Sequence, residues 1–147
     1  MISEWEPRCI RLEPGTYETV EQLLMCFGAG DASGLTRLFT DRVDWHGPTP
    51  RQPGGERGSY RNREIESFLL ACYESLSPAG LTVRRLMVDG DQAVVIGRAR
   101  CHDRATGEPR VLDFAASVTV SDGLVDTCWL LTRPAAPDPA ADRLVLR

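Results

Sequence analysis

The sequence predicts an α+β domain: helices in the first half cover an antiparallel sheet built by the second half. Two observations carry this. Apolar residues recur at helical spacing as far as Leu76, and beyond residue 80 the period shortens to two. Two Asp-Gly pairs, Asp89-Gly90 and Asp122-Gly123, punctuate the second half as turn signals between strands. A run of helices followed by a run of strands is the α+β pattern, because each sheet face needs a cover.

Residues 1–14 read as a leader, with an extended piece at Cys9 to Leu12. A first helix follows Pro14-Gly15-Thr16. Val20, Leu23, Leu24 and Phe27 fall on one helical face, and Gly28-Ala29-Gly30 stops it, since glycine accepts the left-handed conformation that ends helices. Asp31 is a good N-cap for a short second helix with Leu35, Leu38 and Phe39 inward. Val43 to Trp45 reads as a brief strand. Gly47 to Tyr60 holds three prolines and four glycines and reads as a long loop of the kind that serves as a lid.

Asn62 is placed as the cap of a third helix. Ile65, Phe68, Leu69, Cys72 and Leu76 form its apolar stripe, and Ser77-Pro78-Ala79-Gly80 ends it. Four strands are expected at Leu81 to Val88, Ala93 to His102, Val111 to Val120 and Leu124 to Arg133, with a longer connection over Asp103 to Pro109. Residues 134–147, opening with Pro134-Ala-Ala-Pro-Asp-Pro, read as a tail. The organisation is thus one domain over residues 15–133.

Composition narrows the function. The 147 residues suffice for a real core, with 42% hydrophobic and 26% charged residues. The formal net charge of -4 argues against a nucleic-acid partner, which needs a concentrated positive face. Arg84-Arg85 and Arg98/Arg100 read as solvated strand positions. No apolar run reaches the ~20 residues of a membrane span, and the acidic start carries no secretion signal, so the expectation is a cytoplasmic protein with no membrane partner. The chain has no lysine, which excludes Schiff-base catalysis. Its five cysteines are widely spaced without a CxxC, so no metal site and no cofactor are expected; Cys26 and Cys72 read as small hydrophobes on helix faces.

Side chains alternate along the third strand. Leu112, Phe114, Ala116, Val118 and Val120 share one side, and Asp113, Ala115, Ser117 and Thr119 the other. The second side is small and polar, and Gly97, Ala99 and Cys101 on the preceding strand are also small. Small residues facing helices leave a hollow; the competing reading is that this side meets water.

The order of elements, with Gly28-Ala29-Gly30-Asp31, Leu38-Phe39-Thr40-Asp41, Trp45-His46-Gly47-Pro48, Thr106-Gly107 and Asp122-Gly123, resembles the nuclear-transport-factor-2-like (NTF2-like) superfamily, in particular its SnoaL-like branch of polyketide cyclases and ketosteroid isomerase-like proteins. The likeness spans about Thr16 to Arg133. It implies an NTF2-like cone: three N-terminal helices packed on a curved antiparallel sheet, with one deep apolar pocket. It also implies a homodimer through the outer sheet face, which on this reading carries Phe114, Val118 and Val120. The family's acid/base residues mostly do not carry over. Leu23 stands where ketosteroid isomerases have an oxyanion-binding Tyr. Gly47 or His46 stands in place of their Asp base, and Ala115 near their Asp donor. Thr132 or Arg133 stands where polyketide cyclases have an Asp.

His46 is the leading catalytic candidate, because an imidazole moves protons near neutral pH and the resemblance puts it at the pocket mouth. The competing reading is a solvent-facing or loop-capping histidine. Asp113 is the second: enclosed on a small face, its carboxyl would be raised and able to act as acid or donor. The alternative is an exposed Asp paired with Arg98 or Arg100. Trp45, Tyr60, Phe68, Tyr73, Ser117 and Trp129 are candidate ligand-binding residues, the aromatics also reading as core, with Trp45 the candidate stacking residue and Tyr60 a lid-closing one. His102 reads as a surface residue. The expected function is a cofactor-independent isomerase, cyclase or dehydratase acting on a hydrophobic or polyketide-like metabolite of secondary metabolism, such as antibiotic biosynthesis. The alternative is a non-catalytic small-ligand binding or association module of the same fold.

Overall fold

A computed structural model describes residues 15–49 and 55–135. The leader, all of the C-terminal tail but Pro134 and Ala135, and residues 50–54 lie outside the described residues. Helix α1 (Thr16–Ala29) runs into α2 (Ala32–Arg37), then strands β1 (Phe39–Gly47) and β2 (Glu56–Arg61), helix α3 (Asn62–Ser75), and strands β3 (Leu76–Asp89), β4 (Gln92–Asp103), β5 (Pro109–Ser121) and β6 (Leu124–Pro134). The six strands form one curved sheet in the order β2-β1-β6-β5-β4-β3.

The helix ends follow their residues. Gly30 closes α1 at φ 71°, and its N–H donates to the carbonyls of Cys26 and Phe27. Asp31 caps α2 by accepting from the Gly34 N–H at 2.9 Å. The cap of α3 is Arg61 rather than Asn62: the Arg61 N–H donates to Glu64 Oε1 at 3.0 Å, the reciprocal half of a capping box. The helix stops at Ser75, and Leu76 already belongs to β3, so Ser77 to Gly80 lie in a strand.

Three further expectations are corrected. The Gly47 to Tyr60 segment is not all loop: Glu56 to Arg61 pair antiparallel with β1, from Gly47↔Glu56 to Arg42↔Arg61. The brief strand at Val43 to Trp45 is nine residues long. The sheet is mixed rather than antiparallel, because β1 runs parallel to β6, with Trp45↔Cys128 and His46↔Trp129 side by side. The helices number three among the described residues, but α3 follows β1 and β2.

The hairpins follow the turn chemistry. Asp122 (φ 53°) and Gly123 (φ 77°) both adopt positive φ between Ser121 and Leu124, the requirement of a tight primed turn. At the other hairpin Asp89 pairs with Gln92, so the loop is Gly90-Asp91.

The core lies between the helices and the concave side of the sheet. Val20, Val43, Ile65, Val95, Val118 and Val125 are essentially inaccessible. On β5 the inward side is that of Phe114, Val118 and Val120, exposed by only 4%, 1% and 6%. These three therefore cannot form an outer contact face, as the resemblance suggested. The reason is register. Gly97 pairs with Phe114 and Ala99 with Leu112, and paired residues share a face. The small residues of β4 thus accommodate the large ones of β5: a Cβ on Gly97 would sit 2.9 Å from the Phe114 ring and 2.5 Å from the Thr82 carbonyl oxygen. The outer face carries Asp113, Ala115 and Ser117, with Ile96, Trp129 and Leu131 exposed beside them.

Candidate functional site

A cavity of about 410 Å³ opens between the helices and the concave sheet face. That lies in the ~300–1,000 Å³ range of small-molecule sites. Helix α1 contributes Phe27 and Gly28; α3 contributes Phe68, Leu69, Cys72 and Tyr73. The sheet contributes Trp45, Ala99, Cys101, Leu112, Leu130 and Thr132, with Pro48 and Thr49 after β1 and Pro78, Gly80 and Leu81 on β3 extending the wall. The small residues Ala99 and Cys101 make room, as the sequence suggests for β4. On β5 the lining residue is Leu112, from the side opposite Asp113.

The polar groups of the wall are few; Ser75 and Thr132 are exposed, and most of the others are already engaged. Tyr73 donates its hydroxyl to the Phe27 carbonyl at 3.3 Å, and burial raises its pKa above the ordinary tyrosine value. The Thr49 hydroxyl bonds Glu56 Oε2 at 3.0 Å. The Cys101 thiol donates to the Arg110 carbonyl at 3.7 Å, and burial pushes both the Cys72 and Cys101 thiols up. Arg100 is the one charged residue of the described lining, and its Nη1 bonds the Thr82 hydroxyl at 3.1 Å. No Asp, Glu or His stands among the described lining residues.

Trp45 differs from these. It is 3% exposed, and its Nε1 is enclosed without a hydrogen-bond partner. Its indole lies over Gly47, where a Cβ would come within 3.1–3.3 Å of the Trp45 ring and of Leu130 Cβ. A buried, unmade N–H bond costs about 1–3 kcal/mol, so such groups are uncommon.

The candidate residues separate into two groups. Trp45, Phe68 and Tyr73 line the cavity. Tyr60 packs edge-on against Phe68, with ring centroids 5.1 Å apart, and does not reach the lining. His46, Asp113, Ser117 and Trp129 lie on the other side of the sheet. The His46 ring packs against Trp129, with centroids 4.1 Å apart and planes tilted by 51°, and its Nδ1 is buried without a partner. Asp113 accepts from Arg98 Nε at 2.9 Å across β4 and β5. That hydrogen bond and the arginine's charge hold the Asp113 carboxyl below the usual carboxylate range, the reverse of the raised value expected for an enclosed acid. His46 and Asp113 therefore do not face each other across the hollow. His102 is exposed.

Leu112, Leu130 and Thr132 were not singled out from the sequence as lining. Their signal is the partnership of β4, β5 and β6, which periodicity alone does not supply. Among the described residues no group of three or more His, Cys, Asp or Glu side chains is placed to hold a metal ion. No helix among them is long and apolar enough to cross a membrane.

The sequence matches the SnoaL-like domain family over residues 20–126. The chain belongs to the SnoaL-like family. No curated protein matches it at a significant level. Solved structures similar to the SnoaL-like chain include IdmH from Streptomyces antibioticus, a proposed polyketide cyclase: 18% identity, 80% of this chain and 91% of that one, TM-score 0.65. An NTF2-like protein from Burkholderia thailandensis covers 91% of this chain and 98% of its own at 18% identity and TM-score 0.64. A proposed isomerase from Bacillus subtilis covers 80% and 86% at 13% identity and TM-score 0.69. At these identities the likeness establishes the NTF2-like fold alone.

Proposed function

We propose that this SnoaL-like protein binds an apolar, polyketide-like small molecule in the cavity between its helices and sheet, without acid/base catalysis by His46 and Asp113. The supporting observation is the character of the described lining: about 410 Å³ of largely apolar wall with no carboxylate or imidazole in it. Proton transfer near neutral pH needs such a group within hydrogen-bond reach of the ligand. The one phenol, Tyr73, is committed to a backbone carbonyl and made a poorer acid by burial.

The test is equilibrium dialysis of the purified protein against 2-ethylnaphthalene, an apolar fused-ring surrogate, alongside an Ala99→Trp variant that fills the cavity. Saturable one-site binding by the parent and its loss in the folded variant are expected. No binding, or equal binding by both, overturns the reading.

The enzymatic alternative, an isomerase, cyclase or dehydratase, draws on the activities ascribed to IdmH and the Bacillus subtilis protein. It predicts that His46→Ala and Asp113→Asn abolish turnover in a substrate screen while binding survives. We also propose that the chain is a cytoplasmic homodimer, its copies meeting through the outer sheet face at Ile96, Trp129 and Leu131. Exposures of 38%, 43% and 60% on neighbouring strands support an apolar contact patch.

A further inference from the structure

We infer that the ligand of the cavity carries a hydrogen-bond acceptor, a carbonyl or ether oxygen on an otherwise apolar body, and that the Trp45 indole N–H is the donor that recognises it. This rests on the binding reading above and adds the polar feature that selects among apolar molecules. Three observations converge on Trp45. It lines the cavity, its ring is almost wholly buried, and its Nε1–H has no acceptor. Buried donors are rarely left unmade, and Trp45 is the buried side-chain donor of the described lining that lacks a partner; the Ser75 and Thr132 hydroxyls belong to exposed residues that water can satisfy.

The indole N–H is uncommitted within the chain. The ring is held by packing against Gly47 and Leu130 and by no hydrogen bond. The missing Cβ of Gly47 lets the ring edge lie this close, since a Cβ there would come within 3.1–3.3 Å of the ring and of Leu130 Cβ. Tyr73 and Thr49 are poorer candidates, since both hydroxyls already have partners within the chain. Arg100 would favour a carboxylate instead, but its guanidinium is tied to Thr82.

The experiment compares two ligands of nearly equal shape, 2-acetylnaphthalene and 2-ethylnaphthalene, in parent and Trp45→Phe protein. Phe keeps an apolar ring and removes the donor. The variant should weaken the ketone by about threefold to tenfold relative to the hydrocarbon, the span of one neutral hydrogen bond. An equal change for both ligands overturns the inference and leaves the cavity as a binding site. Failure of both ligands to bind the parent overturns the inference and the binding reading together. Where Trp45→Phe does not fold, the parent protein labelled with ¹⁵N at its indole nitrogens serves, with Trp5→Phe and Trp129→Phe assigning the three signals. The ketone should shift the Trp45 indole proton downfield and the hydrocarbon should not. An indole signal that responds alike to both counts against the inference.

Discussion

Arg98 Nε donates to the Asp113 carboxylate at 2.9 Å across adjacent strands, with side-chain exposures of 15% and 20%, so the one acidic residue of β5 is neutralised on the outer sheet face. The pair has a pH signature. The folded carboxyl lies below its unfolded value, so its contribution is present above the unfolded pKa of about 3.9 and is lost as pH falls through the folded value. Asp113→Asn should lower the melting temperature at pH 7, and the difference from the parent should shrink toward zero as the pH is taken below 4. Melting curves at stepped pH check this. A difference that holds constant into acid would show that the ion pair is not its source.

Gly97 should not tolerate a side chain. A Cβ there would lie 2.5 Å from the Thr82 carbonyl oxygen and 2.9 Å from the Phe114 ring, a backbone atom and a core ring that cannot both retreat. Gly97→Ala should cost about 1–3 kcal/mol, the scale of overpacking. Urea denaturation should show a lower midpoint at unchanged slope. An unshifted midpoint would mean that β3 and β4 separate easily at this position.

Cys128 should be chemically silent in the folded protein. Burial pushes its thiol up to about 12, so the reactive thiolate is all but absent at pH 8. Of the four cysteines among the described residues, Cys72, exposed on α3 at the cavity, should react first with a thiol reagent such as DTNB. Mass spectrometry of briefly labelled protein reads the order directly. Early labelling of Cys128 would mean that the β1 and β6 strands part in the native ensemble.

The outer face should control association. Leu131→Arg places a charge in the apolar patch formed with Trp129 and Ile96 without touching the core, because Leu131 is 60% exposed. Light scattering should give a two-copy mass for the parent and a one-copy mass for the variant at similar melting temperature. A one-copy parent would refute the dimer.

Much of this fold was legible. The helical stripe of Val20, Leu23 and Phe27, the stop at Gly30 and the cap at Asp31 each act locally, so the residue type alone announces them. Strand β2 was hidden, because Glu56-Arg-Gly-Ser-Tyr-Arg61 is polar and glycine-bearing and earns its place only by lying at the sheet edge beside β1. The inward side of β5 was misread for a different reason. Alternation divides a strand into two faces but does not say which one meets the helices. Gly97 opposite Phe114 decides that, and such a pairing is knowable only once the register is known. The same gap explains the site. Trp45, Phe68 and Tyr73 were recognisable as large aromatics, Phe68 on the apolar stripe of its helix. His46 and Trp129 are equally conspicuous in sequence, yet sit side by side on the reverse of the sheet.

The parallel seam between β1 and β6 has a consequence for how the chain is made. Phe39 docks beside Val125 and Trp45 beside Cys128, residues separated by most of the domain. A ribosome must therefore release nearly the whole polypeptide before the first hairpin finds its berth. Until then the hydrogen-bonding edge of β1 that faces β6 stays unpaired, and a message truncated before Leu124 would yield a product whose β1 has no β6 to pair with.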